Sequence, residues 1–166
     1  MRRLLLTVAG ALVLATPAAA EGPVRLSLGY SFAKHLEEDA GSAPVGAFLA
    51  LSGSDGLSLE LDLGWQRDSE EFLDESITLN TFTAVAGPRL GLATSGAIRP
   101  FLHLLGGARH DRVEGESNTA WGGFAGGGID IQAGDSVAVR LGADFQMFFD
   151  EGENVKTLRL GVGLTF

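Results

Sequence analysis

The chain has 166 residues, with 21 acidic and 12 basic side chains, a formal net charge of −9 and no cysteine. This length suits one domain, the acidic balance argues against binding to nucleic acid, and the absence of thiols excludes disulfides and cysteine-based catalytic or metal sites. The 24 glycines favour closely packed strands over helices.

The first twenty residues have the pattern of a secretory signal peptide. Arg2-Arg3 precedes an apolar run over Leu4–Thr16, which is too short to cross a bilayer as a helix. Ala18-Ala19-Ala20 then supplies the small residues of a cleavage site. We therefore expect residues 1–20 to be removed and the barrel domain to occupy residues 21–166. An uncleaved membrane anchor is the alternative.

The rest of the chain alternates between apolar residues and polar or small ones, which is typical of strands with one apolar face. Eight strands are predicted, over about residues 24–33, 43–51, 57–66, 76–92, 98–110, 119–132, 136–148 and 156–166. The last is among the clearest, because Leu158, Leu160, Val162, Leu164 and Phe166 occupy every second position.

The predicted connections alternate between short, mostly glycine-containing turns and longer polar loops. The turns lie at residues 52–56, 93–97 and 133–135, and the acidic or polar loops at 34–42, 67–75, 111–118 and 150–155. Transmembrane barrels show this asymmetry between short periplasmic turns and longer external loops. An even number of strands then places both termini on the periplasmic side and all four polar loops outside.

A soluble, lipocalin-like barrel would also alternate, but with its apolar face inward. Three features favour a membrane barrel: apolar faces long enough to cross a hydrocarbon layer, opposite faces rich in glycine, and aromatic residues near strand ends. These aromatic residues, which resemble interfacial girdles, are Tyr30, Phe32, Trp65, Trp121, Phe148, Phe149 and Phe166. The predicted fold is an all-β, eight-stranded antiparallel transmembrane β-barrel, closed because lipid cannot satisfy a free sheet edge.

Several segments carry a family resemblance through their order and spacing. They are Gly87-Pro88-Arg89, Arg99-Pro100-Phe101 with Gly106-Gly107, Gly126-Gly127-Gly128-Ile129-Asp130, and the strand with Arg140 and Asp144. With the signal peptide, they resemble the barrel domain of small OmpA-like and porin-family outer-membrane proteins. The resemblance implies a barrel in the outer membrane of a Gram-negative bacterium. It also implies that Phe166 is an assembly signal for the barrel-assembly machinery.

With the apolar faces toward lipid, one set of charged residues faces the barrel interior. A narrow interior desolvates charges, so these residues must pair and form hydrogen bonds. The predicted lumen network comprises Arg25, Glu60, Asp62, Arg89, Arg99, His103, Arg109, Asp130, Arg140, Asp144 and Arg159. Two roles follow: a salt-bridge network that fills the barrel, or a narrow pore that opens when the pairs exchange.

The sequence offers no catalytic, cofactor or metal site. His103 is the sharpest enzyme candidate, because a lipid A-modifying barrel enzyme is the main alternative function. No serine follows His103 at a spacing of two, and His35 and His110 lack a distinctive serine and acid arrangement. Gly126-Gly127-Gly128 lies within a strand and lacks the lysine of a phosphate-binding loop. No His, Asp or Glu spacing indicates a metal site.

We therefore expect a non-enzymatic outer-membrane barrel with a structural or narrow-pore role and no cofactor. Expected partners are outer-membrane lipid and lipopolysaccharide, with the barrel-assembly machinery during biogenesis and no nucleic acid. The protein is expected to be a monomer. An adhesion or complement-evasion role is a further alternative, which would depend on loops that the sequence predicts to be short.

Overall fold

The computed structural model describes residues 24–36, 43–53, 56–72, 75–92, 96–113, 116–150 and 153–166. These residues form a closed antiparallel barrel in which each strand pairs with its neighbours in the chain and β1 pairs with β8. The strands are β1 (Arg25–His35), β2 (Val45–Ser52), β3 (Gly56–Phe72), β4 (Glu75–Gly91), β5 (Ile98–Val113), β6 (Glu116–Gln132), β7 (Ala138–Asp150) and β8 (Glu153–Thr165). The predicted fold class is confirmed. The predicted signal peptide, residues 1–20, lies outside the described residues.

Backbone pairing between the first and last strands closes the barrel. Leu26 and Phe166 exchange two backbone hydrogen bonds, Leu26 N to Phe166 O at 3.2 Å and Phe166 N to Leu26 O at 2.8 Å. Deeper in the lumen, the hydroxyls of Ser27 and Thr165 lie 2.8 Å apart. Every strand therefore has two partners, which the lipid interior requires because it offers no hydrogen bonds.

The two ends of the barrel differ. The terminal rim carries Arg25, Thr165 and the connections that join β2 to β3, β4 to β5 and β6 to β7. At the start of β3, directly after the first of these connections, Gly56 has a φ of 67°, which glycine adopts without the steric cost that a Cβ would add. The loop rim carries the other four connections.

Three of the four predicted polar loops are largely strand, so this part of the sequence prediction is wrong. β3 and β4 remain paired up to Phe72 and Glu75, and β5 and β6 up to Val113 and Glu116. β7 and β8 remain paired up to Asp150 and Glu153. The acidic composition predicts loops because the residues are polar at consecutive positions, but a strand that extends beyond the membrane can be polar on both faces.

Alternation divides the strands into an outer and an inner face. The outer face is almost entirely apolar, and Leu57, Leu59, Leu102 and Leu104 are among its exposed residues. Tyr30, Trp65, Trp121 and most of the other predicted girdle aromatics are also exposed. Phe148 is the exception, because it is 0% exposed and lies inside the barrel. Its assignment to the girdle is wrong, since Phe149 is the residue of that pair that faces outward. Among the described residues, no helix has the length and hydropathy to span a membrane.

Candidate functional site: the charged lumen

The inner face collects charged side chains that are far apart in the chain. Glu60 and Asp62 on β3, Asp144 on β7 and Arg159 on β8 are all at most 5% exposed. Each occupies an inward position, because its immediate neighbours on the strand face outward. Buried charges of this kind are tolerated only when partners and hydrogen bonds replace water.

Arg159 lies at one end of the network, between two carboxylates. Its Nη1 donates to Asp62 Oδ1 at 2.9 Å and its Nη2 to Asp62 Oδ2 at 3.0 Å, which is the two-contact geometry of a guanidinium and a carboxylate. Its Nε donates to Asp144 Oδ2 at 2.8 Å. Since 97 residues separate Asp62 from Arg159, only closure of the barrel brings them together.

His103 on β5 continues the network from Asp144. Its Nε2 lies 2.7 Å from Asp144 Oδ1 and its Nδ1 lies 3.1 Å from Glu60 Oε1. A carboxylate can only accept hydrogen bonds, so the doubly protonated imidazolium is the form that satisfies both contacts. In that form, the four most buried cations of the network, Arg89, His103, Arg140 and Arg159, equal in number the four anions Glu60, Asp62, Asp130 and Asp144. Arg25, whose side chain is 15% exposed, adds a fifth cation at the terminal rim.

Asp130 on β6 organises the end of the network nearest the terminal rim. Arg140 Nε donates to Asp130 Oδ1 at 2.9 Å, and Arg89 Nη2 donates to Asp130 Oδ2 at 2.9 Å. Arg25 Nη1 lies 4.0 Å from Asp130 Oδ2. Arg89 also lies beside Glu60, with Nε to Oε2 at 3.4 Å, and donates to Ser52 Oγ. Ion pairs therefore run continuously from Arg25 to Asp62 across the barrel.

Aromatic rings pack against the guanidinium groups of this network. Arg89 Cζ lies 4.1 Å from the Phe101 ring centroid and Arg140 Cζ lies 4.7 Å from the same centroid. Arg159 Cζ lies 4.6 Å from the Phe124 centroid and 5.8 Å from that of Phe48. These cation–π contacts stabilise the arginines while the rings exclude water from the ion pairs.

A second, apolar cluster fills the lumen on the side of β4 to β7. It consists of Val85, Leu105, Ala120, Phe124 and Phe148. Phe124 and Phe148 meet edge to face, with ring centroids 5.9 Å apart and an interplanar angle of 86°. The lumen network predicted from the sequence comprises only charged residues and His103, so it does not include the rings of Phe48 and Phe148. Strict alternation from Val45 and Val137 would have placed both of these inward.

Two of the predicted network residues lie outside the continuous network. None of the ion pairs among the described side chains includes Arg99, which is half-buried near the terminal rim. Arg109 is buried but pairs separately, since its Nε donates to Asp111 Oδ2 at 2.8 Å. Thr81 Oγ1 donates to the same carboxylate at Oδ1, 2.5 Å away. Arg109 and Asp111 thus form a smaller polar cluster toward the loop rim.

The space left between these side chains is small. A cavity of about 20 Å³ is lined by Phe48, Glu60, Asp62, Phe101, His103, Arg140, Gly142, Asp144, Arg159 and Gly161. That volume holds roughly one water molecule. Within the described residues, no group of three or more His, Asp or Glu side chains is arranged to hold a metal ion.

The other two histidines lie toward the loop rim. His110 Nδ1 lies 2.9 Å from Thr119 Oγ1 on the outer face, and His35 Nδ1 lies 3.3 Å from Thr157 Oγ1. Among the described contacts, neither has a carboxylate partner that would orient it as a general base. His103 has two such partners but is buried within the network.

The outer membrane protein beta-barrel domain family matches residues 4–166. The chain belongs to this family, which defines it as an outer-membrane β-barrel protein. None of the curated proteins compared matches it. Among solved structures, Neisserial surface protein A is similar at a TM-score of 0.69 and 13% identity, covering 86% of this chain and 95% of that one. Ail, the attachment invasion locus protein of Yersinia pestis, is similar at a TM-score of 0.58 and 19% identity, covering 88% of this chain and 99% of that one.

Proposed function

We propose that the protein is a non-enzymatic structural barrel of the outer membrane whose lumen is closed to ions. The observation that supports this proposal is the continuous chain of ion pairs from Arg25 to Asp62, packed against Phe48, Phe101 and Phe124. A permeating ion would have to separate these pairs in a space that holds roughly one water molecule.

Conductance across a planar bilayer tests the closed lumen against the narrow pore. Protein refolded in detergent, with folding checked by heat-dependent gel mobility, is expected to insert without a steady current. Arg159→Ala is expected to conduct, because it removes the cation between Asp62 and Asp144 and leaves a polar space that water can fill. Arg99→Gln, which removes a positive charge that takes no part in the ion pairs of the described residues, is the matched control and is expected not to conduct. Steady current steps from the wild-type protein would instead favour the narrow pore.

A second candidate function is surface adhesion, and the unequal strand lengths favour it. β3, β4, β5 and β6 have 16 or 17 residues, whereas β1 and β2 have 11 and 8. β3 pairs with β2 only up to Arg67, and β6 pairs with β7 only from Trp121. The four paired strands β3 to β6 therefore extend together at the loop rim, past β2 on one side and past β7 on the other. A variant with residues 69–76 replaced by a two-residue turn should keep its fold but lose host-cell binding, and unchanged binding would remove this candidate.

Phe166 is proposed to act as an assembly signal for the barrel-assembly machinery. Its aromatic side chain is half-exposed at the end of an alternating strand, so a receptor could contact it. Deletion of Phe166 should reduce the outer-membrane level several-fold, while the purified variant still refolds in detergent. Phe166→Tyr, which keeps the ring, is the control. A normal outer-membrane level of the deletion variant would contradict this proposal.

A further inference from the structure

The lumen opens at the terminal rim through a ring of inward residues, here called the terminal mouth. It consists of the outermost described inward residue of each strand at that rim. Two members are arginines, one is a glutamine, the other five are small, and none is a carboxylate. They are Arg25, Ser52, Gly56, Gly91, Arg99, Gln132, Ala138 and Thr165. Because the small side chains reach only a short way from the wall, the two arginines determine the charge of the mouth.

The carboxylate just below the mouth already has other partners. Asp130 lies one inward position deeper than Gln132 on β6, and its two oxygens accept from Arg140 Nε and Arg89 Nη2, each at 2.9 Å. Arg25 Nη1 approaches Asp130 Oδ2 only to 4.0 Å. Arg99 is the register partner of Asp130 on β5, yet none of the ion pairs among the described side chains includes it. Neither mouth arginine therefore has a described carboxylate of its own.

The inward positions consequently carry an excess of positive charge at this end of the lumen. With His103 protonated, the four deeper cations of the network equal its four carboxylates in number, and Arg25 and Arg99 each add one charge at the mouth. Asp135, on the exposed connection between β6 and β7, forms no ion pair with either arginine among the described contacts. A recess lined by one sign of charge concentrates the opposite ion. An excess of two positive charges matches a dianion.

We propose that Arg25 and Arg99 bind inorganic phosphate or a soluble phosphate monoester at the terminal mouth. A phosphate monoester carries a charge of about −1.5 to −2 at neutral pH, and its oxygens fit the fork of a guanidinium group. A phosphate diester, as in a bilayer phospholipid or a nucleic acid, has one charge and matches the excess less well.

The position of the mouth also favours a soluble ligand over a lipid. Arg25 and Arg99 lie on inward positions, so the strand wall separates them from the acyl chains outside. With the terminal rim on the periplasmic side, as expected from the sequence, the ligand reaches the mouth from the periplasm. The inference goes beyond the proposed structural role, because it concerns a recess that solutes enter without crossing the lumen.

Isothermal titration calorimetry tests the proposal, with inorganic phosphate as the probe. Protein refolded in a sugar-based, phosphate-free detergent is titrated with sodium phosphate near neutral pH, and the wild-type protein is expected to bind one phosphate per barrel. Arg25→Gln and Arg99→Gln should each weaken binding about tenfold or more, as for loss of a charge-assisted hydrogen bond. Arg112→Gln is the matched control, because it removes an exposed positive charge at the opposite rim and should bind phosphate as the wild-type protein does.

Competing anions identify the chemical class of the ligand. Glycerol 3-phosphate is expected to displace phosphate, whereas sodium chloride of equal ionic strength is not, and succinate, with two separate carboxylates, should compete less well. Folding of each variant is checked by heat-dependent gel mobility, and Arg99→Gln suffices if Arg25→Gln does not fold. No phosphate binding by the wild-type protein, equal binding by Arg99→Gln, or stronger competition by succinate than by glycerol 3-phosphate would overturn the proposal. None of these results depends on whether the lumen conducts.

Discussion

The lumen contains two regions that are equally buried but chemically opposite. The ion-pair network fills the region around Asp62, His103 and Asp130, whereas the apolar cluster around Phe124 and Phe148 fills the side lined by β4 to β7. Both exclude water. In the apolar cluster, any side chain of suitable shape contributes through burial. In the ion-pair network, each side chain is stabilising only while its partner is present. Substitutions in the two regions should therefore lower the stability of the barrel for different reasons.

The largest effect is expected for Arg159→Ala. The change leaves two buried carboxylates, Asp62 and Asp144, without the cation that both of them contact. Breaking a buried pair from one side costs about 3–5 kcal/mol, so the free energy of unfolding in urea should fall by about 4 kcal/mol in lipid vesicles. A loss below about 1 kcal/mol would show that water already replaces the pair.

Phe148→Ala should be nearly as destabilising, for the opposite reason. The ring is fully buried against Phe124, and its removal leaves an apolar cavity that water does not fill. Such truncations cost about 3 kcal/mol or more. The variant should lose stability in the same urea assay without gaining conductance, in contrast to Arg159→Ala. A conducting Phe148→Ala variant would mean that the apolar cluster, and not the ion pairs, closes the lumen.

A smaller effect is expected where an added methyl group meets the network. Gly161 faces the lumen, and a Cβ built on it would lie 3.3 Å from Phe48 Cε1. Gly161→Ala should push the Phe48 ring by a few tenths of an ångström and cost about 1 kcal/mol by overpacking. Gly106→Ala is the control, because the nearest atom to its added Cβ is a backbone oxygen 3.8 Å away. Equal stability of the two alanine variants would contradict close packing around Phe48.

The smallest effect is expected for Arg99→Gln. Arg99 faces inward at the register position of Asp130, yet none of the described ion pairs includes it. Loss of a charge without a partner should change the free energy of unfolding by no more than about 0.5 kcal/mol. A loss of more than 2 kcal/mol would place Arg99 within the ion-pair network after all.

Alternation was sufficient to predict eight strands and which residues share a face. The length of the apolar faces, the glycine-rich opposite faces and the aromatic residues near strand ends were needed to assign the apolar face to lipid. The inward positions of Glu60, His103 and Arg159 follow from counting every second residue. Their ion-pair partners cannot be predicted in this way. Which residues of β3 and β8 lie at the same height is set when the barrel closes, and it depends on the registers of all eight strand pairs together. Arg99 illustrates the limit: it faces inward as predicted, at the register position of Asp130, but none of the ion pairs among the described side chains includes it.

The prediction of polar loops was wrong for a related reason. The residues beyond Gln66 are polar on both faces, and in a single sequence this pattern does not distinguish a loop from a strand that has left the membrane. Only the pairing of Arg67 to Phe72 with residues of β4 identifies a strand there. Similarly, Phe148 and Phe149 are adjacent in sequence, and register, not residue type, decides that Phe148 lies inside the barrel.

A double-mutant cycle on Asp62 and Arg159 tests most directly whether the lumen is held by specific ion pairs. Asp62→Asn, Arg159→Gln and the double variant are unfolded in urea from lipid vesicles of one composition, with Arg99→Gln in each background as the control. Because Arg159 donates to both carboxylate oxygens of Asp62, the coupling energy should be about 1.5–3 kcal/mol. Additivity of the two single changes within about 0.5 kcal/mol would contradict the account.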